Sequence, residues 1–278
     1  MGDYKLIRTG TMDWQADPEI PGFKQQVLLR DTKRKSVVRK WFVPPAWGTD
    51  SVKGKPDRHY HMSVYERAYN LDGDFPHWEY SNVADFKGDM IVFRRHTAMD
   101  RAPGSLHGLA PKPQSQAGAE ILYWNTGPGT SIREKGFEKE TINVPFDKKA
   151  RVARDTFTPC RLMEVDKMPW QRHPRVTGLK IRPLMTAVLG AGATSVVNVP
   201  ADWMPMAAVT AETEPGEAAW LYVLNGDVRL KIAGAETTYL TLVENDFLAW
   251  RAPTVVGFGQ GEASDGGATV VCTGHALG

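Results

Sequence analysis

Two cysteines in 278 residues, Cys160 and Cys272, are too few and too far apart for a disulfide framework or a thiolate metal cage. Strong charge of either sign is missing as well. The formal net charge is +2, which argues against nucleic acid as a partner. Lys33, Arg34, Lys35, Arg39 and Lys40 cluster, as do Lys148, Lys149 and Arg151, but apolar residues break both groups, and each reads as a solvated face. No stretch of eighteen apolar residues exists to span a membrane. The opening "MGDYKLIRTG" has no apolar run behind a basic end, so no signal peptide is expected there and a soluble, cytoplasmic protein is. A sustained helical period is also lacking; only "PFDKKARVARD" (145–155) reads as a short helix. What is present is ordinary: 42% hydrophobic and 24% charged residues, enough to bury a core without metal or disulfide support.

The chain repeats itself once. "MDWQADPEIPGFK" (12–24) matches "MPWQRHPRVTGLK" (168–180) at Met12/Met168, Trp14/Trp170, Gln15/Gln171, Pro18/Pro174, Gly22/Gly178 and Lys24/Lys180. The landmarks continue in order: "VPPAW" with "VPADW", "YNLDGD" with "YVLNGD", and "RAPGSLHG" with "RAPTVVGF". A duplicated domain follows. Each half carries short alternating runs broken by Gly, Pro, Asn and Asp, with a hairpin signal in "LNGDV". The fold class is therefore all-β, a sandwich or small barrel in each half. The expected boundaries are 1–125, a connection at 126–159 that packs in part over a domain, and 160–278.

The chemistry concentrates in "RHYHMSVYERAYNLDGD" (58–74). In a strand His59 and His61 point to one face and Tyr60 to the other. Four residues then allow a tight turn that returns Glu66 to the same interior, and His107 in "RAPGSLHGL" is the candidate fourth partner. Neutral imidazoles with one carboxylate suit Fe(II), Mn, Ni, Zn or Cu rather than Ca or Mg. His77 and His96 read as surface or supporting residues. Ser63 and Asn70 share faces with the cluster by strand parity. Arg94, Arg95 and Arg101 are candidates to receive a substrate carboxylate, and Tyr60, Tyr65 and Trp78 to line an aromatic pocket.

"HYHMSVYERAYNLDG" resembles the first motif of the cupin superfamily, His-x-His, four residues, Glu, six residues, Gly. "GD" at 88–89 leading to "PGSLHG" resembles the second. The order of landmarks is similar to cupins of the ChrR-like and acetylacetone-cleaving dioxygenase type, over both halves. The resemblance implies two tandem cupin (jelly-roll β-barrel) domains, with His59, His61, Glu66 and His107 as metal ligands. "FRRHTAMDR" lengthens the second motif and is expected as a loop at the site mouth. Aligning Gly73 with Gly226 puts Glu212 opposite His59, Glu214 opposite His61, Ala219 opposite Glu66 and Gly257 opposite His107, so the second copy has lost its ligands.

One divalent transition metal per chain is expected, Fe(II) favoured, with Mn, Zn or Ni as alternatives. The resemblance implies bidentate binding of a small-molecule substrate and an Fe(II) dioxygenase that uses O2 to cleave a small carbonyl or phenolic compound. Glu66, Arg94 and Tyr65 are its candidate catalytic residues. A redox-neutral lyase, decarboxylase or isomerase is the alternative, and a non-catalytic binding cupin a further one. A homodimer paired through strand edges is expected.

Overall fold

The computed structural model describes residues 4–32, 36–47, 59–61, 64–80, 88–109, 117–126, 131–133, 160–186, 192–205, 209–211, 218–233, 236–258 and 263–273. Among them, regular structure is strand apart from 3-10 turns at Thr9–Thr11 and Val165–Lys167. The expected helix at 145–155 lies outside the described residues. No helix among the described residues is long and apolar enough to cross a membrane.

The chain divides into two compact units, Trp14–Asp166 and Met1–Asp13 with Lys167–Gly278. These bounds differ from the sequence expectation at both ends, for one reason. Strand β1 (Tyr4–Arg8) pairs antiparallel with β19 (Asp246–Arg251) of the C-terminal unit. Conversely β12 (Arg161–Glu164) pairs with β8 (Thr97–Arg101) of the N-terminal unit. Each repeat lends its leading strand to the other unit's sheet. Strand pairing has no sequence code beyond alternation, so duplicated landmarks could not reveal the exchange.

In the Trp14–Asp166 unit the organising element is β6 (Tyr65–Tyr80), sixteen residues long. Its first half pairs with β8 and with β10 (Ala119–Thr126); its second half pairs with β7 (Asp89–Arg94) and β9 (Leu106–Leu109). The strand changes partners at Gly73, which has φ +72°, and a Cβ there would stand 2.0 Å from the Gly118 carbonyl oxygen. Only glycine turns this corner without displacing backbone. In the C-terminal unit β17 (Ala218–Ala233) does the same at Gly226, with φ +75° and 1.9 Å to the Gly267 carbonyl. Gly73→Ala is expected to cost more than ~1 kcal/mol of stability, against little change for Gly10→Ala, whose added Cβ meets nothing within 4 Å. Urea midpoints of the two variants check this.

The segment 94–102 is not a loop over the site. It is the β7–β8 hairpin, turning at Arg95–His96 with His96 at φ +59°. Its counterpart turns at Asn245, φ +69°, between β18 (Thr237–Val243) and β19. The connection also contributes a strand, β11 (Ser131–Arg133), which pairs with β5 (His59–His61).

The two interiors differ. The C-terminal unit has an apolar core that includes Leu221, Val228, Leu230, Trp250, Val256 and Phe258, each 1% exposed or less. In the N-terminal unit an apolar cluster around Phe23, Phe75, Phe93, Met99 and Ile121 stops short of a group of buried ionisable side chains.

Candidate metal centre

The histidines come together from two strands. β5 pairs with β9 at His59↔His107, and the His59 and His107 ring centroids lie 4.3 Å apart. His61 stands 5.1 Å from His59 and 5.4 Å from His107, centroid to centroid. One ring nitrogen from each of the three falls within 4.8 Å of the others. Glu66 faces them from β6, with Oε2 3.1 Å from His107 Nε2 and Oε1 3.4 Å from His61 Nε2. The expected tight turn does not pair the two strands. β5 lies beside β9 and β11, while the Glu66 end of β6 lies between β8 and β10, so glutamate and histidines meet across the interior.

Corner geometry explains what the sequence reading missed. Before Gly73 the inward positions of β6 include Glu66, Ala68 and Asn70; after it they are Phe75, His77 and Glu79. The bend shifts inward parity by one. Thus His77, read as a surface or supporting residue, is 5% exposed and lines the cavity. His96, by contrast, lies at the β7–β8 turn, 3.0 Å from the Tyr69 hydroxyl through Nδ1. Arg94 is exposed at the end of β7 and does not line the cavity. Tyr65 is half-buried on the opposite face of β6, under the Arg67 guanidinium. The arginine and tyrosine that hold Glu66 are Arg101 and Tyr123. Arg101 pairs with Glu66 in the β6–β8 register; Tyr123 sits on β10, where alternation in "AEILYWN" was the available signal. Tyr60 and Trp78 pack in a separate cluster with Tyr80 and Leu106. Ser63 lies outside the described residues.

Arg101 is the hub. It donates to Glu66 Oε2 at 3.0 Å, to Glu79 Oε1, and to His77 Nδ1 at 3.3 Å. The Tyr123 hydroxyl donates to Glu66 Oε1 at 2.8 Å. Burial pushes the Glu66 carboxyl up, but His107, His61 and Arg101 outweigh it and hold it well below the usual range. Burial likewise opposes, and Arg101 with His77 prevails, in bringing Glu79 down to about 2. For His107 and His77 burial comes first and Arg101 second, and both imidazoles titrate below the ordinary value of 6.5. Burial, then the Glu66 carboxylate, raises Tyr123 well above 10 and keeps it a donor.

Glu66, Glu79, His77 and His107, each held below its ordinary value, act on stability in the same direction. As pH falls, the unfolded chain takes up protons that the folded chain resists, so folding weakens on acidification. Loss is expected first below about pH 6.5 through His77 and His107, then through Glu79 between 4.5 and about 2. The urea midpoint of metal-free protein should therefore be lower at pH 5 than at pH 8. An equal or higher midpoint at pH 5 would contradict the assignment of neutral buried imidazoles.

The fit to a metal rests on His107. Its Nδ1 lies 2.8 Å from the Ser105 carbonyl oxygen and must donate to it, which leaves the Nε2 lone pair toward the cluster. That Nε2 is buried and makes no hydrogen bond. A buried acceptor without a donor costs free energy. A cation between the three imidazoles relieves it, and nitrogen donors select a borderline transition metal rather than Ca or Mg.

The second unit makes the contrast. Its strand register corrects the sequence alignment by one residue: Ile232, the counterpart of Glu79, pairs with Val256, so Val256 and not Gly257 replaces His107. Ala219 pairs with Trp250 where Glu66 pairs with Arg101, and Leu221 pairs with Cys272 where Ala68 pairs with Tyr123. Leu230 takes the place of His77 in the matching sixteen-residue strand. Each replacement belongs to one apolar core. Register also places Ala211, partner of Val256, opposite His59. Glu212 and Glu214 lie outside the described residues. Apolar packing is the cheaper way to fill this space, so a retained ionic cluster in the other unit points to use.

A cavity of about 140 Å3 opens onto the cluster, with walls that include Phe75, Phe93, Met99 and Ile121.

No family model matches the chain, and no curated protein does. Solved structures do match in fold. Streptomyces albus HEPD with substrate 2-hydroxyethylphosphonate and Fe(II) bound aligns over 99% of this chain and 76% of its own, with a TM-score of 0.63 at 10% identity. Ylba from E. coli aligns over 98% and 90%, with 0.59 at 9%. A formate complex of Lactobacillus farciminis oxalate decarboxylase aligns over 98% and 86%, with 0.55 at 9%. The chain has the bicupin fold, two jelly-roll β-barrel units from a duplication.

Proposed function

We propose that the Trp14–Asp166 unit is the catalytic half of a metal-dependent bicupin enzyme, and that its partner unit is structural. His59, His61, His107 and Glu66 are the proposed ligands of one divalent transition metal. The observation that carries this reading is the orphaned His107 Nε2, fixed by Ser105 and aimed at two further imidazoles beside a cavity. A metal held there supplies Lewis acidity and open positions for substrate oxygens, and iron adds redox chemistry with O2. The chain's own residues do the rest. Glu66, ionised between Arg101 and Tyr123, is placed to accept a hydrogen bond from an enolic or phenolic hydroxyl, and Tyr123 to donate one to a substrate oxygen. Phe75, Phe93, Met99 and Ile121 exclude water from the bound molecule.

An Fe(II) dioxygenase cleaving a small carbonyl or phenolic compound is the favoured chemistry. The Fe(II)-bound neighbour of the same fold supports iron as the first metal to try. A redox-neutral lyase, decarboxylase or isomerase is the second reading, favoured by a carboxylate with two hydrogen-bond-donating neighbours, which needs no oxidant. Oxygen consumption by Fe(II)-reconstituted protein over a panel of small diketones and phenols tests the first. Substrate-dependent uptake, lost in His61→Ala, is the expected result. Substrate loss without uptake favours the second, and metal bound with no turnover favours a binding module.

A further inference from the structure

Arg39, which the sequence places in a solvated basic cluster, lines the cavity instead. It lies on β4 (Ser36–Val43), and its side chain is 11% exposed. The guanidinium carbon sits 5.2 Å from the Trp41 ring centroid and 5.6 Å from that of Tyr123. Those rings stack on each other at 4.2 Å, so the cation rests on a rigid aromatic platform.

Its donors are poorly spent. A guanidinium has five N–H groups. Here one amino nitrogen donates to Gln25 Oε1 at 3.1 Å and makes a long 3.5 Å contact to Asp17 Oδ2. Asp17 is committed elsewhere: Oδ1 accepts the Glu19 and Ile20 backbone N–H groups, and Oδ2 accepts Trp41 Nε1 at 2.8 Å. Arg39 Nε is buried and has no partner. Arg101, also on the cavity wall, has its charge paired with both Glu66 and Glu79, although its Nε too is buried without a hydrogen bond. Glu19 at the mouth is exposed and solvated. A desolvated cation with unused donors on a cavity wall is a site for an anion.

We propose that Arg39 recognises a carboxylate on the substrate, and that the site takes small organic acids with an oxygen donor at the opposite end. The second half of that statement rests on the metal-centre reading; the first does not. Tyr123 sets the spacing, because its hydroxyl meets Glu66 at the histidine end while its ring supports Arg39. The ligand therefore spans about one aromatic ring between its two polar ends. Size agrees: 140 Å3 is close to the ~150 Å3 of a cavity that holds benzene. An aromatic ring or a chain of a few carbons fits, carried by the apolar wall.

The test uses 3,4-dihydroxybenzoate and its neutral isostere 3,4-dihydroxybenzamide, titrated by calorimetry into the full chain with and without metal. Wild type is expected to bind the acid at least roughly tenfold more tightly than the amide, the size of a charge-assisted hydrogen bond. Arg39→Gln should remove that preference, and Arg39→Lys, which keeps the charge, should retain part of it. A preference seen without metal, and lost in Arg39→Gln, supports the anion site even if the metal reading fails. Equal binding of acid and amide by wild type, or a preference that Arg39→Gln leaves intact, overturns the proposal. Metal content measured on the same samples reports separately on the histidine centre.

Discussion

Replacing Arg101 with methionine is expected to cost the protein about 3–5 kcal/mol of stability, the typical penalty for removing one member of a buried ion pair. Arg101 is 3% exposed and is held by Glu66, Glu79 and His77. Without it two carboxylates, 6% and 7% exposed, lose the permanent charge that keeps them ionised. The remaining imidazoles compensate only in part, because burial disfavours their charged form at His77 and His107. The C-terminal unit supplies the control. Installing its residues together, as Glu66→Ala, His77→Leu, Glu79→Ile, Arg101→Trp and His107→Val, replaces the ionic cluster by the apolar set that already packs at the matching positions. That variant should recover most of the lost stability and bind no metal at this site. Urea unfolding of both measures the difference; a change below ~1 kcal/mol in Arg101→Met would contradict the buried ion-pair network.

His107→Ala is expected to lower metal affinity by at least about a hundredfold, and turnover with it. Even residues that only orient a ligand are worth 10- to 100-fold, and His107 presents its lone pair directly. Activity should not return at high metal, since the cavity floor is then rebuilt. His96→Ala is the matched control: its ring bonds Tyr69 at the β7–β8 turn and does not line the cavity, so metal binding should persist. Metal titration followed by calorimetry separates the two. Equal affinity in both variants would remove His107 from the centre.

Much of this was legible from residues alone because the repeat and the histidine spacing are local patterns. His59 and His61 needed only strand alternation, and Gly73 with Gly226 marked both corners. Gly22 and Gly178 recur for an equally local reason: at φ +89° and +93° each passes under the indole of Trp47 or Trp203, which itself recurs. What failed depended on register between distant strands. The parity change at Gly73 hid His77 and Glu79. The one-residue offset in β9 and its counterpart β20 (Val255–Phe258) put Gly257 where Val256 stands. Arg94 and Arg101 are equivalent in sequence terms, and only the β6–β8 pairing separates an exposed arginine from the buried hub. Arg39 went unrecognised because a basic residue in a basic run gives no sign of the aromatic platform beneath it.

Metal content by elemental mass spectrometry, on wild type beside His61→Ala and purified without chelator or nickel columns, tests the central claim most directly. About one transition-metal ion per chain in wild type and none in the variant is the expected result, since the described residues hold one histidine cluster, set against an apolar counterpart. Two ions per chain, equal metal in both proteins, or failure of wild type to take up Fe(II), Mn or Zn on reconstitution would contradict it.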